Sequence, residues 1–325
     1  MDGRASTFVC RPPTDAMVAS MVLPRLRIVT GKGGVGKTVA ATALAMAEAR
    51  QGRRTLLAEV NGRDRVAALL GVKPVGAKMR EVFDHLHIVD MNPRDAIREY
   101  ALLRFRFEAV YNTVFENRLV RRFLRLIPSL GELVMLGKVW FHEQEKSDDG
   151  SPRFDVIIVD APSTGHAKTM LRAPAVVERT VPPGPLRDIT QNLQTLLTDH
   201  QRTQLHVVTT PEEMPVNEAI ELEQAAVHTL GVGLGTTIIN QYVEPLHRAA
   251  LAAVVRANPE SSLSQTLSIR DAKSRAGDAF LRRLPAYMLE GSVRLPRVVS
   301  REFGRTEIDA FVNLLAPAVV AETKT

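Results

Sequence analysis

Cysteine is almost missing from this sequence: 325 residues carry one thiol, Cys10. A lone cysteine cannot close an intramolecular disulfide and leaves no thiolate cluster for an iron–sulfur centre or a soft metal ion. Long apolar runs are missing too. No stretch approaches the roughly 20 consecutive apolar residues that a membrane-spanning helix needs. The first 25 residues lack the continuous apolar core of a signal peptide, because charges are scattered through them. That segment reads as a loose tail over residues 1–24, with Met17 and Met21 as alternative starts. There is no internal repeat. These absences point to a cytoplasmic, reduced-compartment protein.

A hydrophobic content of 45% is ample for a buried core, and the length suits one large α/β domain over residues 25–325. Net charge is +6. The excess is local: residues 94–125 hold eight arginines against four acids. It therefore makes no strong case for nucleic acid, although basicity alone would admit it.

The most informative stretch is Gly31-Lys32-Gly33-Gly34-Val35-Gly36-Lys37-Thr38, between an apolar run at 26–30 and an Ala-rich helical run at 39–50. Strand, glycine loop and helix is the context that a phosphate-binding P-loop requires. Its inward-pointing N–H groups and the following helix make a cage for anions. Gly31, Gly33, Gly34, Val35, Gly36, Lys37, Thr38 and Val39 are thus the expected cradle for ATP. Lys37 is placed to reach the β- and γ-phosphates, and the Thr38 hydroxyl to ligate Mg²⁺. Lys32 stands one residue after the first glycine, where a P-loop has no need of a lysine.

Further apolar segments read as strands at 55–60, 87–91, 154–160, 205–209 and 236–240. They are separated by helical patterns at 39–51, 94–126, 129–146, 187–199, 212–230 and 244–257, with a closing helix at 306–320. This alternation predicts a doubly wound, mostly parallel sheet. Ligands of such sheets sit at the carboxyl ends of strands. Asn61, Asp160, Thr210 and Asn240 all fall at such ends. Asp160 is placed to hold Mg²⁺ opposite Thr38.

Several segments taken together carry a resemblance. Lys32 within K-G-G-x-G-K-T resembles the deviant Walker A motif of the dimeric ATPases that include ArsA, the tail-anchored-protein targeting ATPases, MinD, ParA and nitrogenase iron protein. Asp160-Ala-Pro-Ser-Thr-Gly-His166 and Thr209-Thr-Pro-Glu-Glu-Met-Pro-Val-Asn-Glu218 are similar to segments of the ArsA and targeting branch. The resemblance implies a P-loop NTPase fold and a Mg²⁺-dependent ATPase that works as a homodimer or as a heterodimer with a related ATPase. It also implies that Lys32 reaches the partner's nucleotide and that Asn240 reads the adenine. Leu284-Pro-Ala-Tyr287 resembles the loop that covers the base. One departure stands out. Asn61 occupies the place of the family's water-orienting aspartate, and an amide cannot accept the water's proton. Glu59 and Asp64 are the alternatives for the role. The expected catalytic set is therefore Lys32, Lys37, Asn61 and Glu59.

Residues 94–146 are where this fold would carry a helical lobe for a client or partner. Tyr100, Leu103, Phe107, Val110, Tyr111 and Val114 fall at helical spacing, with arginines such as Arg118, Arg121, Arg122 and Arg125 among them. The stripe suits either a core-facing helix or a lobe that grips a protein helix or an acidic membrane surface, which would put the protein at the membrane periphery. Three functions stay open. They are a dimeric ATP-driven switch acting on a protein or membrane-associated partner, a nucleotide-binding regulatory subunit with weak hydrolysis, and the ATPase of an anion (arsenite) efflux system. The third is poorly served by one thiol, since arsenite binds soft thiolates.

Overall fold

The computed structural model describes residues 24–93, 95–96 and 129–321. The tail at 1–23 with Cys10, and the stripe from Tyr100 to Val114 with its arginines, lie outside the described residues.

Five apolar, β-branched segments form the centre of the sheet: β1 (Leu26–Gly31), β2 (Thr55–Val60), β4 (Leu86–Met91), β5 (Val156–Ser163) and β6 (Thr203–Thr209). β1 and β2 are buried along their whole length, as expected of parallel strands covered on both faces. β3 (Arg80–Phe83) and the short β7 (Gly233–Leu234), β8 (Ile238–Tyr242) and β9 (Val293–Pro296) complete nine strands among the described residues. Their order is β3-β4-β2-β5-β1-β6-β8-β9, with β7 paired to β6. Every pairing is parallel except β3 with β4. This is the α/β P-loop NTPase architecture expected from the alternation of segments.

Alternate residues of each strand feed two separate cores. Val29, Leu57, Ile158 and Val208 pack against α1 (Lys37–Arg50), α2 (Arg65–Leu70) and α10 (Arg305–Ala321). The six alanines of α1 keep its surface small, so it lies close between the sheet and α10, and Ala40 to Ala49 are all buried. Ile28, Leu56, Ala58 and Ile157 pack on the opposite face against α3 (Leu130–Gln144), α4 (Thr164–Thr180), α5 (Pro185–Thr198) and α6 (Glu213–Ala225). A wider turn, Ala226–Leu230, extends α6. α7 (Arg248–Ala257) and α8 (Ser262–Leu281) follow β8, and the short α9 (Ala286–Glu290) precedes β9.

The described part of the expected 94–146 lobe behaves as core: Leu133, Met135, Leu136 and Val139 of α3 are buried against the sheet. One charged pair is buried as well. Arg27 of β1 meets Glu48 of α1 at 2.9 Å, and both side chains are fully buried. Arg53, beyond the end of α1, bonds the same carboxylate. No helix among the described residues is long and apolar enough to cross a membrane.

Candidate nucleotide site

β1 hands the chain to the glycine loop at Gly31. A Cβ there would meet the Val208 carbonyl oxygen of β6 at 2.0 Å, so only glycine lets the two strand ends lie this close. Gly36, just before α1, has φ 89°, in the left-handed region that glycine enters without penalty. Its open side is filled by Asn240 from the end of β8, whose Nδ2 donates to the Val35 carbonyl at 2.8 Å. The loop is thus braced from the strand two places across the sheet.

Lys37 Nζ donates to the Lys32 carbonyl at 3.1 Å, closing the loop on itself. Burial is the main influence on its ammonium and lowers its pKa, with Asp160 pulling the other way. Thr38 Oγ1 donates to Asp160 Oδ2 at 2.6 Å. The other carboxylate oxygen, Oδ1, is buried without a hydrogen-bond partner. Burial pushes the Asp160 carboxyl up to about 6, against the Thr38 hydrogen bond and the Lys37 charge. A hydroxyl and a carboxylate with an unused buried oxygen form a donor set that suits a hard divalent cation such as Mg²⁺. Beside them opens a cleft of about 720 Å³, bounded by the glycine loop, the end of β2 and the end of β5.

The acids Glu59, Asp90 and Asp160 lie side by side at the ends of β2, β4 and β5, in register. The loop after β2 wraps over two of them. Glu59 accepts the N–H groups of Arg65 at 3.0 Å and Val66 at 3.3 Å. Asp90 accepts that of Asp64 at 3.1 Å and is also bonded by the backbone of Gly62 and Arg63. Asp64 Oδ1 in turn takes the N–H groups of Val75 at 2.8 Å and Gly76 at 2.9 Å. Asn61, Arg63 and Asp64 all have φ near 57°, so this is a tightly coiled loop whose backbone donors are met by carboxylates.

Residues 25–182 match the model of the family described as anion-transporting ATPase. Over 230 residues the chain is 32% identical to ATPase BagA of Mycobacterium tuberculosis, spanning 69% of this chain and 66% of that protein. It is 27% identical over 263 residues to protein Rv2184c of the same species, covering 67% of this chain and 59% of the relative. To ATPase GET3 of Kluyveromyces lactis it is 24% identical over 176 residues, covering 52% and 50%. The chain belongs to the ArsA-type ATPase family. It spans just under two thirds of the length of the BagA relative.

Within this ArsA-type site, the structure brings Lys37, Thr38, Asp160 and the glycine loop together as the motif spacing predicts. It separates others. Glu59, expected as an alternative base, is turned under Gly62: a Cβ on that glycine would lie 1.8 Å from Glu59 Oε1. It is 2% exposed and does not line the cleft. Its two oxygens are occupied by the first N–H groups of α2, which explains the placement. Burial, more than its neighbours Asp90 and Asp160, raises its carboxyl to about 7. Asp64 is likewise engaged by backbone. Among the described residues, Asp160 is the carboxylate on the cleft wall, and Asn61 stands there in place of an acid.

Lys32 is paired within its own chain to Glu218 of α6, the last acid of the Thr209–Glu218 motif. Leu284–Tyr287 does not cover the site. This segment leads into the amino end of β9, with Met288 in the core and the Tyr287 hydroxyl bonded to Glu223. The loop that leaves the carboxyl end of β9 is 297–304, and its Phe303 lines the cleft. Sequence reasoning missed Asp90, Arg65 and Phe303. Asp90 had a visible signal, an acid near the end of a recognised strand; β9, α2 and hence Phe303 and Arg65 had none as clear.

Proposed function

We propose that this ArsA-type chain binds Mg²⁺-ATP in the 720 Å³ cleft and hydrolyses it slowly, as a dimeric switch whose nucleotide state governs binding of a partner. The observation that carries the reading is the Thr38–Asp160 hydrogen bond, with its orphaned carboxylate oxygen, next to Lys37. A metal held there would supply positive charge that offsets the charge of the phosphates. Thr38 and Asp160 would hold it, directly or through water. Glycine-loop N–H groups would bind the phosphates, and Lys37 would exchange the Lys32 carbonyl for a phosphate oxygen. Asn61 would orient the attacking water without accepting its proton. Loss of a general base typically costs 10²- to 10⁴-fold in rate. Asn240 and the loop at 297–304 would flank the base.

Calorimetry with Mg²⁺-ATP should show binding by the wild type and none by Lys37→Ala. Equal affinity in the two would refute the assignment.

The dimer follows from the deviant Walker A resemblance, with Lys32 crossing to a second copy or to a related ATPase. The same resemblance supports a single ATPase domain over 25–325, a partner site within 94–146, and a cytoplasmic, at most peripherally membrane-bound location. A second reading, a regulatory subunit with little turnover of its own, is favoured by Asn61 on a cleft wall where Asp160 is the carboxylate among the described residues. Anion transport, the activity in the family's description, would need an anion site. With one thiol in the sequence, arsenite should not stimulate turnover, and several-fold stimulation surviving Cys10→Ser would revive that reading.

A further inference from the structure

The loop after β2 fixes one side chain that the motifs do not account for. Arg65 is the first residue of α2, and its backbone N–H is held by Glu59 Oε1 at 3.0 Å. Its side chain lines the same cleft as Lys37, Thr38, Asn61 and Asp160. No hydrogen bond or ion pair of its guanidinium is found among the described residues, whereas Arg27, Arg53 and Arg54 all have carboxylate partners. Arg63, two residues before Arg65, does not line the cleft.

A cation anchored by its backbone, unpartnered at its head and set opposite a phosphate loop has an evident chemical complement. We propose that Arg65 contacts the terminal phosphate of the bound nucleoside triphosphate and makes the site distinguish triphosphate from diphosphate. The proposal rests on the nucleotide reading above. A planar guanidinium can bond two phosphate oxygens at once, which a lysine ammonium does less well. It enters from the β2 side of the cleft, beside Asn61, so it would meet the end of the phosphate chain that projects past the glycine loop. There it would also offset charge on the γ-phosphoryl oxygens as the bond to the leaving group lengthens. A charge-assisted contact of this kind is worth roughly ten- to a hundredfold in affinity.

The test compares wild type, Arg65→Lys, Arg65→Ala and Arg63→Ala by calorimetry with Mg²⁺-ADP and with a Mg²⁺-bound non-hydrolysable ATP analogue. Thermal melting of each nucleotide-free variant checks the fold. Arg65→Ala should lose about tenfold or more for the triphosphate and less than about twofold for the diphosphate. Arg65→Lys should fall between, and Arg63→Ala should match wild type. Folded Arg65 variants with the wild-type preference for triphosphate would overturn the proposal while leaving the nucleotide reading intact. Failure of the wild type to bind either nucleotide would overturn both.

Discussion

Lys32 and Glu218, 186 positions apart in the sequence, form an ion pair within one chain, although Lys32 belongs to the motif whose lysine is expected to serve a neighbour. Both side chains are about 30% exposed, at 31% and 28%. Pairs in such settings contribute about 1 kcal/mol or less, so Lys32 is held but easily released. Glu218→Gln should leave nucleotide-dependent dimerisation intact or strengthen it, while Lys32→Ala should weaken it about tenfold or more. Sedimentation velocity with a non-hydrolysable ATP analogue reads both. Equal behaviour of the two variants would mean that the lysine serves its own chain only.

Among the described residues, Asn61 and Arg65 are the polar side chains that line the β2 side of the cleft. The left-handed backbone of Asn61, φ 56°, is one that Asp tolerates as well as Asn. With Glu59 and Asp64 committed to backbone N–H groups, Asn61→Asp should raise steady-state phosphate release by about tenfold or more, within the usual range for a restored general base. Glu59→Gln and Asp64→Asn should act on stability more than on turnover. A fast wild type that collapses in either of the latter variants would return the base to those carboxylates.

Asp160 must be ionised to hold a cation, and its carboxyl is raised to about 6. Mg²⁺-dependent enhancement of nucleotide affinity should therefore be full above pH 7 and fall roughly tenfold per unit below about pH 6. Asp160→Asn should remove both the enhancement and its pH dependence. A titration of affinity against Mg²⁺ at pH 5.5, 6.5 and 7.5 would show whether the fall is there.

Glu59 has the opposite linkage to a salt-bridged acid. Its pKa rises from 4.5 to about 7 on folding, so the folded chain holds this proton more tightly than the unfolded one. The resulting stability is present in full below about pH 4.5 and is lost as pH rises through 7, by about 3 kcal/mol in order of magnitude. Glu59→Gln cannot ionise, so the wild type's advantage over it should shrink from pH 5 to pH 8. Urea melts at the two pH values check this, and a constant gap would mean that Glu59 ionises normally.

The strand-and-helix alternation, the glycine loop and the Thr38–Asp160 pair were legible because each rests on local pattern: apolar runs, glycine spacing and an acid closing a strand. β9 was not, since Val293–Pro296 is a four-residue strand at the sheet's edge with little periodicity. The resemblance put the expected base-covering segment at Leu284–Tyr287, which lies before that strand, not after it. α2 was missed because its six residues follow three non-glycine positions with positive φ, held in place by distant carboxylates. The fate of Glu59 was hidden for the same reason. Whether an acid faces a cleft or a row of N–H groups is decided by how the next loop folds back.

The buried Arg27–Glu48 contact has a mechanical meaning. Removing either partner of such a pair, which leaves the other charge buried alone, costs roughly 3–5 kcal/mol, so the contact pins β1 to α1. The glycine loop spans these two elements and is thus anchored at both ends. Any opening of the proposed nucleotide cleft would then fall to the opposing wall, the coil after β2. That coil hangs on the backbone N–H groups accepted by Glu59 and Asp90.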